Sequence, residues 1–199
     1  MTFLSDRFRE AMARFDAANA ADPNKEMFEG REYPKELLYA QRMTDWLDKY
    51  EPDASEALRL AARAQHICRW KIPRSEYPMG RDGYNQWRTT LAKMHGDTAA
   101  GIMQQAGYDG QMCAKVKALL MKDRMKLADR DGQTLEDVIC LVFLEFYFVP
   151  FAPQYSATKL ASIVRKTWRK MSERGRQTAL TLAPLLPENL LEVVQRAVG

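Results

Sequence analysis

The sequence predicts an all-α protein, folded as a single-domain helical bundle over residues 1–199. Apolar residues recur at three- and four-residue spacing along nearly the whole chain, which is the spacing of one face of an α-helix. No stretch shows the sustained apolar and polar alternation of a half-buried strand, so strands are not expected. With 199 residues, of which 46% are hydrophobic, the chain is long enough for one sizeable core.

Helices are predicted at about 4–20, 34–50, 54–70, 83–106, 110–127, 134–149, 156–172, 173–183 and 187–198. Their starts are marked by prolines suited to a first turn and by side chains that cap backbone amides, namely Pro34 and Pro187, and Ser5, Asp53, Thr134 and Ser172. The long connection at about 71–82 is the first candidate for a functional loop.

The longest apolar run, from Val138 to Phe151, is interrupted by Glu145 and contains Pro150. It is too short for a membrane span and is predicted to be a central buried helix. Glu145 is then expected to be buried and held in a structural ion pair, because an unpaired charge there would be costly.

Charge and cysteine content indicate a reduced, cytoplasmic protein. Lys and Arg exceed Asp and Glu by only 30 to 26, which is too small a surplus to mark a nucleic-acid-binding protein. The three cysteines, Cys68, Cys113 and Cys140, are far apart and lack metal-ligand spacing. The amino terminus lacks a secretory signal, and neither a cofactor nor a membrane partner is expected.

The segment from Arg59 to His95 concentrates arginines, two tryptophans and both histidines of the protein. Two predicted helices place basic and aromatic residues on facing stripes, and a proline-stiffened basic loop joins them. His66 and His95 are the candidate catalytic acid and base. The candidate ligand-binding residues are Arg63, Arg69, Trp70, Arg74, Arg81, Tyr84 and Arg88.

Arginine forks pair bidentately with phosphate and carboxylate, so this cluster predicts a phosphorylated or otherwise anionic small molecule, or a nucleotide, as ligand. The plainer alternative is that the arginines lie along solvated helix faces and the tryptophans fill the core. The sequence has no P-loop, dinucleotide-binding glycine pattern, nucleophile elbow or paired-cysteine zinc motif. Whether the protein is an enzyme therefore stays open.

Several local runs over about 35–145 resemble the HD superfamily of helical phosphohydrolases, whose metal is held by a His, a His-Asp pair and a later Asp. In YAQRM, Tyr39 stands at the first ligand position. In LAARAQHI, Gln65 and His66 stand on the pair, and His95 in LAKMHGDTAAGIMQQAGY resembles an additional His of many members.

The closing Asp of the HD pattern falls in LEDVICL, where Ile139 takes the ligand position and Asp137 lies two residues earlier. The resemblance implies an HD-like core at about 35–150, followed by further helices at about 156–198. Because most ligands are replaced, it also implies that the usual metal site is lost and that any activity is phosphohydrolase-like with a non-standard or absent metal.

The run HICRWKIPRSEYPMGRDGYNQWR resembles an uncharacterised bacterial and fungal family of unknown function, whose members are sometimes labelled glutamyl-tRNA synthetase. The resemblance covers nearly the whole chain. The synthetase label has no support here, because the ATP-binding motifs of a synthetase are missing from the sequence.

Two other functions stay open beside the anion site. An RNA-binding module would use the same cluster together with Arg165, Lys166, Arg169 and Lys170. A protein-interaction module without catalysis would use methionine-rich surfaces, for which the 11 methionines are weak support. The oligomeric state cannot be deduced from the sequence.

Overall fold

The computed structural model describes residues 5–122 and 130–198. The chain is 78% helical, so the predicted all-α class is confirmed. It divides into two compact units, Met1–Gly132 and Gln133–Gly199. The single domain over residues 1–199 stays a prediction.

The first unit contains five helices and a hairpin in its described residues. The helices are α1 (Asp6–Ala20), α2 (Lys35–Tyr50), α3 (Glu56–Arg63), α4 (Arg81–Gln105) and α5 (Gly110–Met121). The strands are β1 (Lys25–Phe28) and β2 (Arg31–Pro34). Single 3₁₀ turns at Arg69–Lys71 and Arg74–Glu76 lie between α3 and α4.

Helix α6 (Arg130–Val142) contains the boundary between the units. It is followed by a π-helical turn (Phe143–Tyr147), α7 (Phe148–Phe151), α8 (Ala157–Lys170), α9 (Glu173–Leu182) and α10 (Glu188–Val198). The 3₁₀ turns Ala152–Gln154 and Ala183–Leu185 complete the second unit as described. The predicted end of α5 at about 127 falls outside the described residues.

The hairpin corrects the expectation that strands are absent. Lys25 pairs with Pro34 and Phe28 with Arg31, across a two-residue turn in which Glu29 and Gly30 both have positive φ, 48° and 74°. Such turns match the twist of a hairpin and need few residues. Strands of four residues are too short to produce a sustained alternation in the sequence.

Two of the predicted caps are confirmed and two are wrong. The Ser5 and Ser172 hydroxyls accept hydrogen bonds from the amides of Phe8 and Gly175. Helix α3 is capped by Ser55 rather than by Asp53. Thr134 is buried inside α6, because that helix begins at Arg130.

The core of the first unit lies among its helices. Its largest fully buried side chains include Phe15 of α1, Met43 of α2, Leu60 of α3 and Leu119 of α5. These residues occupy the apolar faces whose spacing predicted the helices, and the burial of such faces is the dominant favourable contribution to folding. The candidate site lies at one side of this core, where α2 and α4 meet the chain after α3.

The core of the second unit is separate. Phe148 packs with Leu160 and Val164 of α8 and with Leu190 and Val194 of α10. No helix in residues 5–122 or 130–198 is long and apolar enough to cross a membrane.

Glu145 is exposed, so its predicted burial is wrong. It lies within the π-helical turn Phe143–Tyr147. A π-turn takes more residues per turn than an α-helix, so an apolar run that would surround Glu145 in a regular helix does not bury it there. The structural ion pair of Glu145 stays a prediction.

Candidate functional site

The site begins where helix α3 ends. The sequence predicts a helix to about residue 70, but α3 stops at Arg63 and Cys68 adopts a left-handed conformation with φ of 54°. The buried Asn19 of α1 accepts a hydrogen bond from the Cys68 amide through its side-chain oxygen, at 3.0 Å. This contact stabilises the turn and directs His66 and Arg69 away from the face that carries Arg63.

His66 lies between helices α2 and α4. Its ring stacks on Tyr39 with centroids 3.9 Å apart, and its Nδ1 lies 3.3 Å from Oε2 of Glu36. The ring of His95, from α4, is 5.9 Å away on centroids. The two predicted catalytic histidines are therefore neighbours, and Tyr39 lies beside them.

Two arginines are seated on aromatic rings next to the histidines. The guanidinium of Arg69 lies 4.8 Å from the ring centroid of Trp87, whose indole N–H donates to the Ile72 carbonyl at 2.9 Å. Arg88 lies 6.0 Å from the centroid of Tyr84 and donates to its hydroxyl at 3.2 Å. Cation–π contacts of this kind hold a guanidinium in place and leave donors for a ligand.

We call these eight residues the His66 site. They are Glu36, Tyr39, His66, Arg69, Tyr84, Trp87, Arg88 and His95.

Both histidines are held in the neutral form. Burial lowers the pKa of His66 well below its usual value, and the positive charges of Arg69, Arg88, Lys122 and Lys35 lower it further. Burial, followed by His66 and the same two arginines, lowers the pKa of His95 to about 2. Each imidazole therefore has one N–H donor and one acceptor nitrogen at neutral pH.

The carboxyl group of Glu36 is also perturbed. Burial raises its pKa from 4.5 to about 7, although Arg69 and Lys35 act in the opposite direction. Burial likewise lowers the pKa of Arg69, partly offset by Glu36. Because Glu36 is close to half protonated at neutral pH, the site has a positive excess of charge.

Two buried polar atoms of this region lack hydrogen-bond partners among the residues that the structure describes. They are Nε2 of His95 and Oε1 of Gln65. His95 is 4% exposed and Gln65 is 7% exposed. Buried polar atoms are nearly always paired, so each of these two atoms is available to a ligand as far as the described residues are concerned.

Some predicted binding residues lie elsewhere or are already engaged. Arg63 forms a bidentate pair with Asp16 of α1, with both N···O distances at 2.7 Å, and also donates to Thr44. Arg74 donates to the carbonyls of Tyr77 and Pro78 at 2.8 Å and thereby holds its own loop.

Trp70 is half-buried in the 3₁₀ turn Arg69–Lys71, and Arg81 is exposed at the first position of α4. The structure thus brings His66, His95, Arg69, Arg88 and Tyr84 together. It does not place Arg63 or Arg74 with free donors beside them.

Glu36 is the site residue that the sequence did not suggest. Its only signal is position, because it precedes Tyr39 by three residues and therefore shares a face of α2 with it. A lone carboxylate at the first turn of a helix is ordinary, so the spacing alone does not single it out.

A metal site is not evident in the described residues, which contain no group of three or more His, Cys, Asp or Glu side chains placed to hold an ion. Of the positions that the HD resemblance predicts as ligand positions, Tyr39, Gln65 and His66 lie in the first unit. Ile139 lies in the second unit.

These features define an all-α protein with a cationic, histidine-containing site built from two helices and an irregular connection. The chain belongs to the family described as domain of unknown function DUF4202, whose model matches residues 9–194. This agrees with the predicted membership of an uncharacterised family. No curated protein and no solved structure matched the chain.

Proposed function

We propose that this protein binds a phosphorylated small molecule or nucleotide at the His66 site. The observation that carries the proposal is the gathering of cations about His66, whose pKa is lowered by burial and then by Arg69, Arg88, Lys122 and Lys35. Like charges brought this close repel one another in the empty protein, and an anion removes that cost.

The cation–π contacts of the two arginines support the same ligand class. Arg69 on Trp87 and Arg88 on Tyr84 are fixed in orientation, and Tyr84 is 44% exposed. Fixed guanidinium groups lose little side-chain entropy on binding an oxyanion, and an exposed aromatic ring offers a surface for a base or sugar. The partial protonation of Glu36 reduces its competition with the ligand.

The test is phosphate binding by the parent protein and by Arg88→Ala. Calorimetric titration with inorganic phosphate and with adenosine monophosphate is expected to give an affinity that falls about 10- to 100-fold in Arg88→Ala, because charge-assisted hydrogen bonds contribute about 1.5–3 kcal/mol. The matched control is Arg31→Ala, which removes an exposed arginine from β2. Absence of binding by the parent, or an equal loss in both variants, would refute the proposal.

Hydrolysis of a bound phosphate ester is the second candidate function. It is favoured by two neutral imidazoles whose centroids are 5.9 Å apart and by the Nε2 of His95, which has no hydrogen-bond partner among residues 5–122 and 130–198. A bound dianion raises the pKa of a nearby imidazole and so makes it a better proton acceptor. Phosphate release from adenosine monophosphate that is lost in His95→Gln, with binding retained, would support it; binding without release in the parent would exclude it for that ester.

A further inference from the structure

Helix α8 of the second unit is strongly and uniformly basic. It carries five cations and no carboxylate, namely Lys159, Arg165, Lys166, Arg169 and Lys170. All five are exposed, whereas Leu160 and Val164 of the same helix are buried. The Lys170 ammonium is 3.6 Å from the Glu136 carboxylate. The other four cations face solvent.

An apolar groove lies along the inner side of α8. Its lining includes Leu144, Val164, Trp168, Met171, Leu180 and Leu186. Leu180 of α9 is 43% exposed, so the groove opens to solvent. Among the described lining residues, Thr167 contributes a hydroxyl group.

Trp168 joins the apolar groove to the basic surface. The guanidinium of Arg176 lies 5.9 Å from its ring centroid and donates through Nε to its backbone carbonyl at 3.0 Å. Arg165 and Arg169 are three residues before and one residue after Trp168, so they lie within about 60–100° of it around the helix. Glu173, 3.8 Å from Arg176, is an acid on this rim.

We propose that this groove docks an acidic segment of a protein partner, which packs an apolar side chain against the groove and places Asp or Glu residues against the α8 cations. An apolar, concave lining suits side chains that lose water on binding, and the exposed cations of the same helix speed association with an acidic segment. RNA is a poorer match, because Trp168 is half-buried with Arg176 on its ring and offers little area for base stacking.

The inference concerns the second unit and is independent of the His66 site. It is tested by selecting random 12-residue peptides displayed in vitro against the immobilised full-length protein. The enriched peptides are expected to carry Leu, Phe or Trp flanked by Asp and Glu. Their affinity, measured by fluorescence anisotropy, is expected to fall at least about tenfold in Arg165→Glu/Arg169→Glu and in Leu180→Asp.

The control is Lys159→Glu, which reverses one charge of α8, half the change of the double variant, about 13 Å along the helix axis from Trp168 and is expected to leave the affinity within about twofold. The proposal is overturned if no peptide is enriched or if the enriched peptides lack an excess of acidic residues. It is also overturned if their affinity is unchanged in Arg165→Glu/Arg169→Glu or in Leu180→Asp. Binding instead to single-stranded RNA or to phosphatidylserine vesicles, lost in Arg165→Glu/Arg169→Glu, would also overturn it.

Discussion

Replacing Arg63 by alanine removes a side chain that the sequence predicts to bind ligand and that the structure engages with Asp16. Three hydrogen bonds are lost, two to the Asp16 carboxylate at 2.7 Å and one to Thr44 at 3.1 Å. The Arg63 side chain is 12% exposed and that of Asp16 is 35% exposed. Breaking a fully buried pair costs about 3–5 kcal/mol, and the partial exposure of Asp16 lowers the expected cost to about 2 kcal/mol.

For a chain of this length, that cost corresponds to a melting temperature lower by about 4–8 °C. Urea unfolding followed by circular dichroism, with and without inorganic phosphate, measures the loss in free energy of unfolding, and thermal unfolding measures the shift in melting temperature. Arg63→Ala is expected to lose the same free energy of unfolding in both conditions and to retain the phosphate-dependent gain. In contrast, Arg88→Ala is expected to keep the parent's stability, or exceed it, and to lose the phosphate-dependent gain.

A double-mutant cycle with Asp16→Asn attributes the loss to the pair itself. The reasoning fails if Arg63→Ala costs less than about 0.5 kcal/mol, within the range of an ordinary surface change. It fails equally if Arg63→Ala removes the response to phosphate, because Arg63 would then contact the ligand.

Three further predictions concern protonation, backbone packing and metal content. Between pH 4.5 and about 7 the folded chain keeps a proton on Glu36 that the unfolded chain releases. The free energy of unfolding of the parent is therefore expected to fall by about 3 kcal/mol relative to that of Glu36→Gln as pH rises through this window. Unfolding measured across a pH series tests this, and parallel curves for the two proteins would contradict it. Gly83→Ala is expected to destabilise by about 1–3 kcal/mol, since its Cβ would overlap the Pro78 carbonyl oxygen. Gly101→Ala, in the same helix with open space around its Cβ, is expected to stabilise by about 0.5–1 kcal/mol, and a similar melting temperature for both would be inconsistent with the close approach of Gly83 to Pro78. Protein purified without added metal is expected to hold no stoichiometric transition metal at the HD-type position, as determined by elemental analysis.

Most helices could be predicted from the sequence because their apolar spacing reflects which face is buried. The main failure, at residues 64–70, has a physical cause that periodicity does not contain. The helix stops because Asn19, almost fifty residues earlier, accepts the Cys68 amide hydrogen bond. Neither proline nor glycine marks the stop, so the sequence favours a continued helix and places Arg63 on the same stripe as His66.

The site shows the same division between local and long-range information. His66, Arg69, Arg88 and His95 can be singled out because they are dense along the sequence. Glu36 could not be predicted because it lies thirty residues before His66 in the sequence. Only the fold brings its Oε2 within 3.3 Å of Nδ1 of His66.

The turn at Cys68 has an evolutionary consequence that needs only sequences to examine. A φ of 54° favours glycine or asparagine, and β-branched residues are disfavoured there. In other members of this family we therefore expect Gly, Asn or a small unbranched residue at position 68. We also expect a side-chain acceptor to be retained at position 19, since losing it would leave the amide of residue 68 unpaired in the interior. Positions 19 and 68 should then both be restricted in sequence, because together they mark where the helix stops and the histidines meet.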